Sequence, residues 1–122
     1  MSAGQSARAL ARIAACAADS KKGQRITAID VSENLAITDI FLLIAADNER
    51  KVDAIVDEVQ RQLILQADAR PIRREGDRGH RWVLLDYIDL VIHIQHDEER
   101  DLYALDKLWK DCPEIALELE SG

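Results

Sequence analysis

The stretch "IFLLIAA", residues 40–46, is apolar at every position. A strand with one wet face alternates apolar and polar residues, so a short unbroken apolar run reads instead as a strand buried on both faces, at the centre of a sheet. Two covering layers are then required, and the flanking sequence offers them. Upstream, "RITAIDVS" (25–32) alternates, with Ile26, Ala28 and Asp30 on one face and Thr27, Ile29 and Val31 on the other, which predicts a neighbouring strand. Ahead of it, Ala9, Leu10, Ile13, Ala14 and Ala17 recur at helical spacing and predict a helix that ends near Lys21, Lys22 and Gly23. Downstream, Asp47 or Asn48 is placed to cap a helix in which Val52, Ile55, Val56, Val59 and Leu63 form one apolar stripe.

The second half is expected to complete the sheet. "PIRREGDRGH" (71–80) has the mixed charge and turn residues of a loop. "WVLLDYIDLVIHI" (82–94) gives two apolar strands broken at "DYID", a hairpin-like corner. Asp97 is positioned to cap a last helix with Leu102, Leu105 and Leu108 or Trp109 facing inward, until Pro113 interrupts it, and the acidic tail 111–122 is expected to fray. On one continuous helix Arg100, Tyr103 and Lys107 would share a face. This order of elements makes an α/β fold, a single domain over 1–122 with a mixed β-sheet flanked by helices.

Acidic residues outnumber basic ones, 23 to 16, for a formal charge of −7. That balance disfavours a phosphate-backbone binder and suits a basic protein partner. Two cysteines, Cys16 and Cys112, are too few for a disulfide framework or a structural zinc site and fit a reducing cytoplasm. No apolar run approaches the roughly 20 residues that cross a bilayer, and the N-terminus lacks the basic and apolar segments of a secretory signal.

Site chemistry is sparse. His93, His96 and Asp97 lie close together, but a strand through residue 94 would project His93 from one face and leave His96 past its end, so no metal site is expected. Asp86 and Asp89 could act as an acid/base pair, although such spacing more often marks a solvated turn. The five glycines form no phosphate-cradling motif, and Gly76 and Gly79 in "REGDRGH" fit a tight turn better than a phosphate site. No serine lies in a nucleophile elbow. No cofactor is expected. Four of the five aromatics, Trp82, Tyr87, Tyr103 and Trp109, crowd into the last third beside many charges. Amphipathic aromatics flanked by charge serve either as core or as interface anchors.

"AITDIFLLIAADNERKVDAIVDEV", "REG" and "WVLLDYIDLVIHIQHDEERDLYALDKLW" follow one another as in the ribosomal silencing factor, or Iojap-like, family, which the chain resembles over residues 5–110. The most specific matches are Ile37, Thr38, Asp39 and Phe41; Arg50 and Val52; Glu75 and Gly76; Trp82; Asp86, Tyr87, Asp89, Val91 and His93; and Glu99, Arg100, Tyr103, Leu105, Leu108 and Trp109. There are departures: Ala46 and Asn48 replace a usual glycine and serine, Ile88 replaces a usual glycine, and Asp106 a usual glutamate. The resemblance implies a nucleotidyltransferase-like topology without the catalytic motif, and a non-enzymatic cytoplasmic factor. Such a factor binds ribosomal protein fourteen of the large subunit, blocks association with the small subunit, and represses translation under nutrient limitation. Nucleic acid is not its main contact, no membrane is involved, and the free protein is a candidate homodimer, paired through a strand edge or the alanine-rich helix. Partner-binding residues implied on this basis are Trp82, Asp86, Tyr87, Asp89, His93, Glu99, Arg100, Tyr103, Asp106 and Lys107. The alternative from another class is a nucleotide-binding or nucleotidyltransferase-type enzyme of related fold.

Overall fold

A computed structural model describes residues 3–76, 81–117 and 119; the side chains of Tyr103 and Asp106 lie outside that description. Helix α1 (Gln5–Ser20) leads into strands β1 (Gln24–Asp30) and β2 (Ile40–Ala46), and helix α2 (Glu49–Ala67) follows. Strands β3 (Arg73–Glu75), β4 (Trp82–Asp86) and β5 (Leu90–His96) precede two short helices, α3 (Asp97–Tyr103) and α4 (Leu105–Leu108), and a final strand β6 (Glu114–Ile115). The sheet runs β3-β4-β5-β2-β1-β6. Among the described residues only β2 and β5 are parallel, with Ile40 opposite Leu90 and Ala46 opposite His96. The expected mixed α/β domain is therefore present, with "IFLLIAA" at its centre.

The side-chain alternation of a strand sorts the two faces. Ile40, Leu42, Ile44 and Ala46 of β2 join Leu90, Ile92, Ile94, Val83 and Leu85 against Val52, Ile55, Val56, Val59 and Leu63 of α2. Alanines 7, 11, 14, 15, 17 and 18 of α1 enter the same core, and small residues allow α1 to lie close to α2 and the sheet. That burial occupies the alanine stripe and leaves Ala9, Arg12 and Cys16 as the exposed side of α1. On the other face Ile29, Val31 and Leu43 form a second cluster with Leu35, Phe41, Leu105, Trp109 and Cys112. Cys16, by contrast, is exposed on α1.

Asn48 caps α2, its side chain accepting the Lys51 N–H at 2.8 Å. Helix α1 stops as expected near Lys21, but the left-handed residue is Lys22 (φ 66°) rather than Gly23. Gly23 is needed for close approach, since a Cβ there would lie 2.9 Å from the Ala18 carbonyl oxygen.

Several expectations are corrected. Residues 73–75, read as loop, form an edge strand paired with Leu84–Asp86; all three are exposed, so no apolar periodicity announced it. The tail is not frayed at Glu114 and Ile115, which pair with Ile29 and Ala28, and Leu117 is buried. The last helix is not continuous. Ala104 is left-handed (φ 47°) and separates α3 from α4, so the face shared by residues 100, 103 and 107 does not form. Its cap is His96, whose Nδ1 accepts the Glu98 N–H at 3.1 Å, rather than Asp97. Leu102 and Leu108 point outward while Arg100 is buried. A bulge explains the inversion: Arg25 (φ 48°) interrupts the β1–β2 register, and its carbonyl accepts from the Arg100 guanidinium at 2.6 Å. A buried cation with a directed acceptor outranks the leucine pattern.

Trp109 packs on Phe41, ring centroids 5.7 Å apart and nearly perpendicular, and holds the C-terminal segment to the sheet. Trp109→Ala is expected to lower stability by about 2–4 kcal/mol in urea unfolding, below the value for a fully enclosed Trp because the residue is partly open.

Candidate functional site

The outward face of β4 is only partly covered, with Trp82, Leu84 and Asp86 all half-buried on it. Beside it β5 presents Val91, His93 and Gln95, since Trp82 lies opposite Gln95, Leu84 opposite His93 and Asp86 opposite Val91. A groove of about 320 Å³ opens here, lined by Glu75, Gly76, Trp82 and Leu84. Gly76 (φ 93°) makes the groove's wall tight: a Cβ would stand 2.7 Å from the Trp82 carbonyl oxygen. Its freedom therefore serves the approach of β3 to β4; Gly79 lies outside the described residues.

Trp82 is oriented from beneath. Its indole N–H donates to His93 Nδ1 at 3.2 Å, which leaves the imidazole proton on Nε2. His93 in turn meets Phe41 edge-on at 5.1 Å, and Phe41 meets Trp109. Four rings thus run across β4, β5, β2 and the segment after α4, tying the half-open Trp82 to the second core cluster. Burial depresses the His93 pKa to about 4, so the ring is neutral at physiological pH.

Charge is organised around Arg81, just before Trp82. Its guanidinium reaches Glu49 at 3.1 Å, Glu98 at 3.0 Å and Glu99 at 3.2 Å, and His96 Nδ1 at 3.3 Å. The hydrogen bond to Glu99, foremost, and those to the other carboxylates raise its pKa further. One cation among three carboxylates leaves this cluster acidic, and it joins the N-termini of α2 and α3 to the start of β4.

The implied residues divide clearly. Trp82 and His93 are in contact, and Glu99 reaches the same end of β4 through Arg81. Asp86 lies at the other end of the strand, accepting the Ile88 N–H at 2.8 Å and facing Arg73 at 3.8 Å. Asp89 and Lys107 are exposed, Lys107 beyond the break at Ala104. Tyr87, His93 and Arg100 are buried; His93 holds the Trp82 indole, whereas Arg100 bonds to Arg25 and Thr27 of β1, and burial pushes the Tyr87 hydroxyl up to about 12. Sequence reasoning missed Arg81, whose partners come from three separate elements, and Phe41, whose ring looks like ordinary core until the strand register sets it beside His93. Among the described residues no group of three or more His, Cys, Asp or Glu side chains is placed to hold a metal ion. No described helix is long and apolar enough to cross a membrane.

The family described as "Ribosomal silencing factor during starvation" matches residues 4–121. The chain belongs to this family. It is 37% identical over 110 residues to the ribosomal silencing factor RsfS of Halalkalibacterium halodurans, covering 89% of this chain and 92% of that protein. It is also 37% identical over 109 residues to RsfS of Bacillus subtilis, covering 87% and 89%. A Chromobacterium violaceum crystal structure superposes with a TM-score of 0.80 at 28% identity, over 85% of this chain and 86% of that one. A Bacillus halodurans crystal structure gives 0.77 at 34% identity, over 90% and 99%. A ribosomal silencing factor thus carries its half-open tryptophan on a sheet that its own rings brace.

His93 makes stability pH-dependent in a definite direction. The unfolded ring takes up a proton as pH falls through about 6.5, whereas the folded ring resists until about 4, so folding weakens across that window. The full difference is about 3 kcal/mol. Asp30 acts lower: burial alone would raise its pKa, but hydrogen bonds from Ser32 and Ala3 and the charge of Arg8 outweigh that and hold it below the ordinary carboxylate value, so its contribution is lost only in stronger acid. Urea unfolding between pH 7 and 4 is expected to show the His93 loss, and His93→Gln to flatten it.

Proposed function

We propose that this ribosomal silencing factor docks on the large ribosomal subunit through ribosomal protein fourteen of that subunit, with the Trp82 face of β3, β4 and β5 as its contact surface. Occupying that site blocks the small subunit sterically and lowers translation when nutrients are limiting. The protein acts in the cytoplasm by binding and carries out no reaction. One observation carries the surface assignment: a half-open tryptophan, held by His93 and preceded in the chain by the Arg81 carboxylate cluster, on a sheet face that the helices leave partly bare. Rigid aromatics in charged surroundings are the residues most enriched at binding hot spots. A net charge of −7 favours encounter with a basic ribosomal protein over a phosphate backbone. The mouse relative, 29% identical over 87 residues and matched over 38% of its own length, is named for assembly of the mitochondrial ribosomal large subunit, which fits the same partner class.

Within this reading Asp86, Asp89, Glu99 and Lys107 supply polar contacts, and Tyr103 and Asp106 are assigned by family resemblance. The buried His93 holds Trp82, and the buried Tyr87 and Arg100 take no direct part in the contact.

Sedimentation of purified subunits tests the reading. A molar excess of the protein is expected to travel with the large subunit and deplete the joined ribosome, and unchanged joined ribosomes would overturn the proposal. Trp82→Ala is expected to weaken large-subunit binding by about thirtyfold or more, far beyond what its change in melting temperature explains.

A further inference from the structure

Three exposed isoleucines lie along one end of the sheet. Ile72 leads into β3, its N–H donating to the Asp86 carbonyl at 2.8 Å. Ile88 forms the corner between β4 and β5, and Ile37 precedes β2, where Asp39 and Ile40 both donate to the Asp89 carbonyl at 3.0 and 3.1 Å. Because β3, β4, β5 and β2 are consecutive neighbours, these positions fall at the same end of adjacent strands. Their exposures are 65%, 55% and 82%.

Ile88 is the informative one. Its φ of 74° is left-handed, a region nearly closed to β-branched side chains. The corner demands that conformation: Tyr87 N–H donates to the Leu90 carbonyl at 2.8 Å, Asp89 N–H to the Tyr87 carbonyl at 3.0 Å, and Ile88 N–H to Asp86 Oδ1 at 2.8 Å. Glycine or asparagine would satisfy the same bonds without strain. An isoleucine that is both strained and exposed is not explained by folding stability, and such outliers point to function.

The surroundings define what the ridge can meet. Asp89 is exposed beside Ile88, Asp86 is half-buried on its other side with Arg73 3.8 Å away, and Asp39 lies next to Ile37 with one oxygen taking the Gly4 N–H. The carboxylates stand at the Ile37 and Ile88 end, while Ile72 is followed by the exposed Arg73, and exposed aliphatic side chains with Asp39 and Asp89 close by suit a peptide segment that carries basic residues beside aliphatic ones. We infer that Ile37, Ile88 and Ile72 form a second contact with the ribosome, taking an aliphatic and basic segment of a large-subunit ribosomal protein. The inference rests on the docking reading above and carries that surface from Asp86 around the end of the sheet.

The experiment compares Ile88→Gly, Ile88→Asn and the pair Ile37→Ser with Ile72→Ser against the parent and Trp82→Ala, reading affinity for purified large subunits beside melting temperature. Ile88→Gly is expected to raise the melting temperature by about 3–6 °C while weakening binding about five- to tenfold. A merely structural residue would move both readings in the same sense. The paired serine variant is expected to weaken binding about tenfold at nearly unchanged melting temperature. A photo-crosslinker at position 72 is expected to capture a ribosomal protein, and capture of ribosomal RNA alone overturns the partner assignment. If Trp82→Ala binds weakly while every isoleucine variant binds like the parent, the ridge is refuted and the docking reading stands. If the parent itself does not bind large subunits, both fall.

Discussion

The whole arrangement depends on β2 having no face that tolerates water. Leu42, Leu43, Ile44, Ala45 and Ala46 are each fully buried, and β2 lies between β5 and β1 where both edges are paired. A strand apolar on both sides requires two covers of different thickness and chemistry. On one side α1 and α2 pack as a conventional layer, α1 through alanines. On the other, only short C-terminal pieces cross the sheet, and they are fastened by a few specific contacts: Arg100 on the bulged Arg25 carbonyl, Trp109 on Phe41, and Asp97 and Asp101 beside the Arg25 guanidinium.

That asymmetry creates the surface. The second cover extends over β1 and β2 and leaves the outward side chains of β4 partly open, so the sheet presents Trp82, Leu84 and Asp86 on a rigid strand. Rigidity comes from the ring series and from Arg81, because a contact residue held by neighbours in three elements loses little freedom on binding. Opposing demands meet in His93, which must stay neutral to accept the indole N–H and does so by being buried.

The elements with long periodic patterns were legible: α2 from its apolar stripe and Asn48 cap, β2 from its unbroken run, and the Trp82–Ile94 corner from two runs about an Asp-rich break. Even the face assignment of β1 held, with Ile26 and Ala28 in one cluster and Ile29 and Val31 in the other. What escaped were elements too short to show a period, β3 and β6, each stabilised by pairing to a neighbour and not by its own residues. The last helix misled for a different reason. Its leucine spacing fits a continuous amphipathic helix, but a left-handed Ala104 and an acceptor waiting for Arg100 reversed which side faces inward.

By itself the sequence determined the fold class, the central strand, the principal helices and the family, because each rests on local periodicity or on an ordered set of matched residues. It also named Trp82, His93 and Glu99, but not the Arg81 that gathers the nearby charge. Only the tertiary structure decided which of those residues face outward and which hold them, since burial, the Arg81 clasp and the ring series arise between elements far apart in the chain. The strain at Ile88 belongs to the same class: side-chain identity is local, but the φ imposed on it comes from the hydrogen bonds that close the corner between two paired strands.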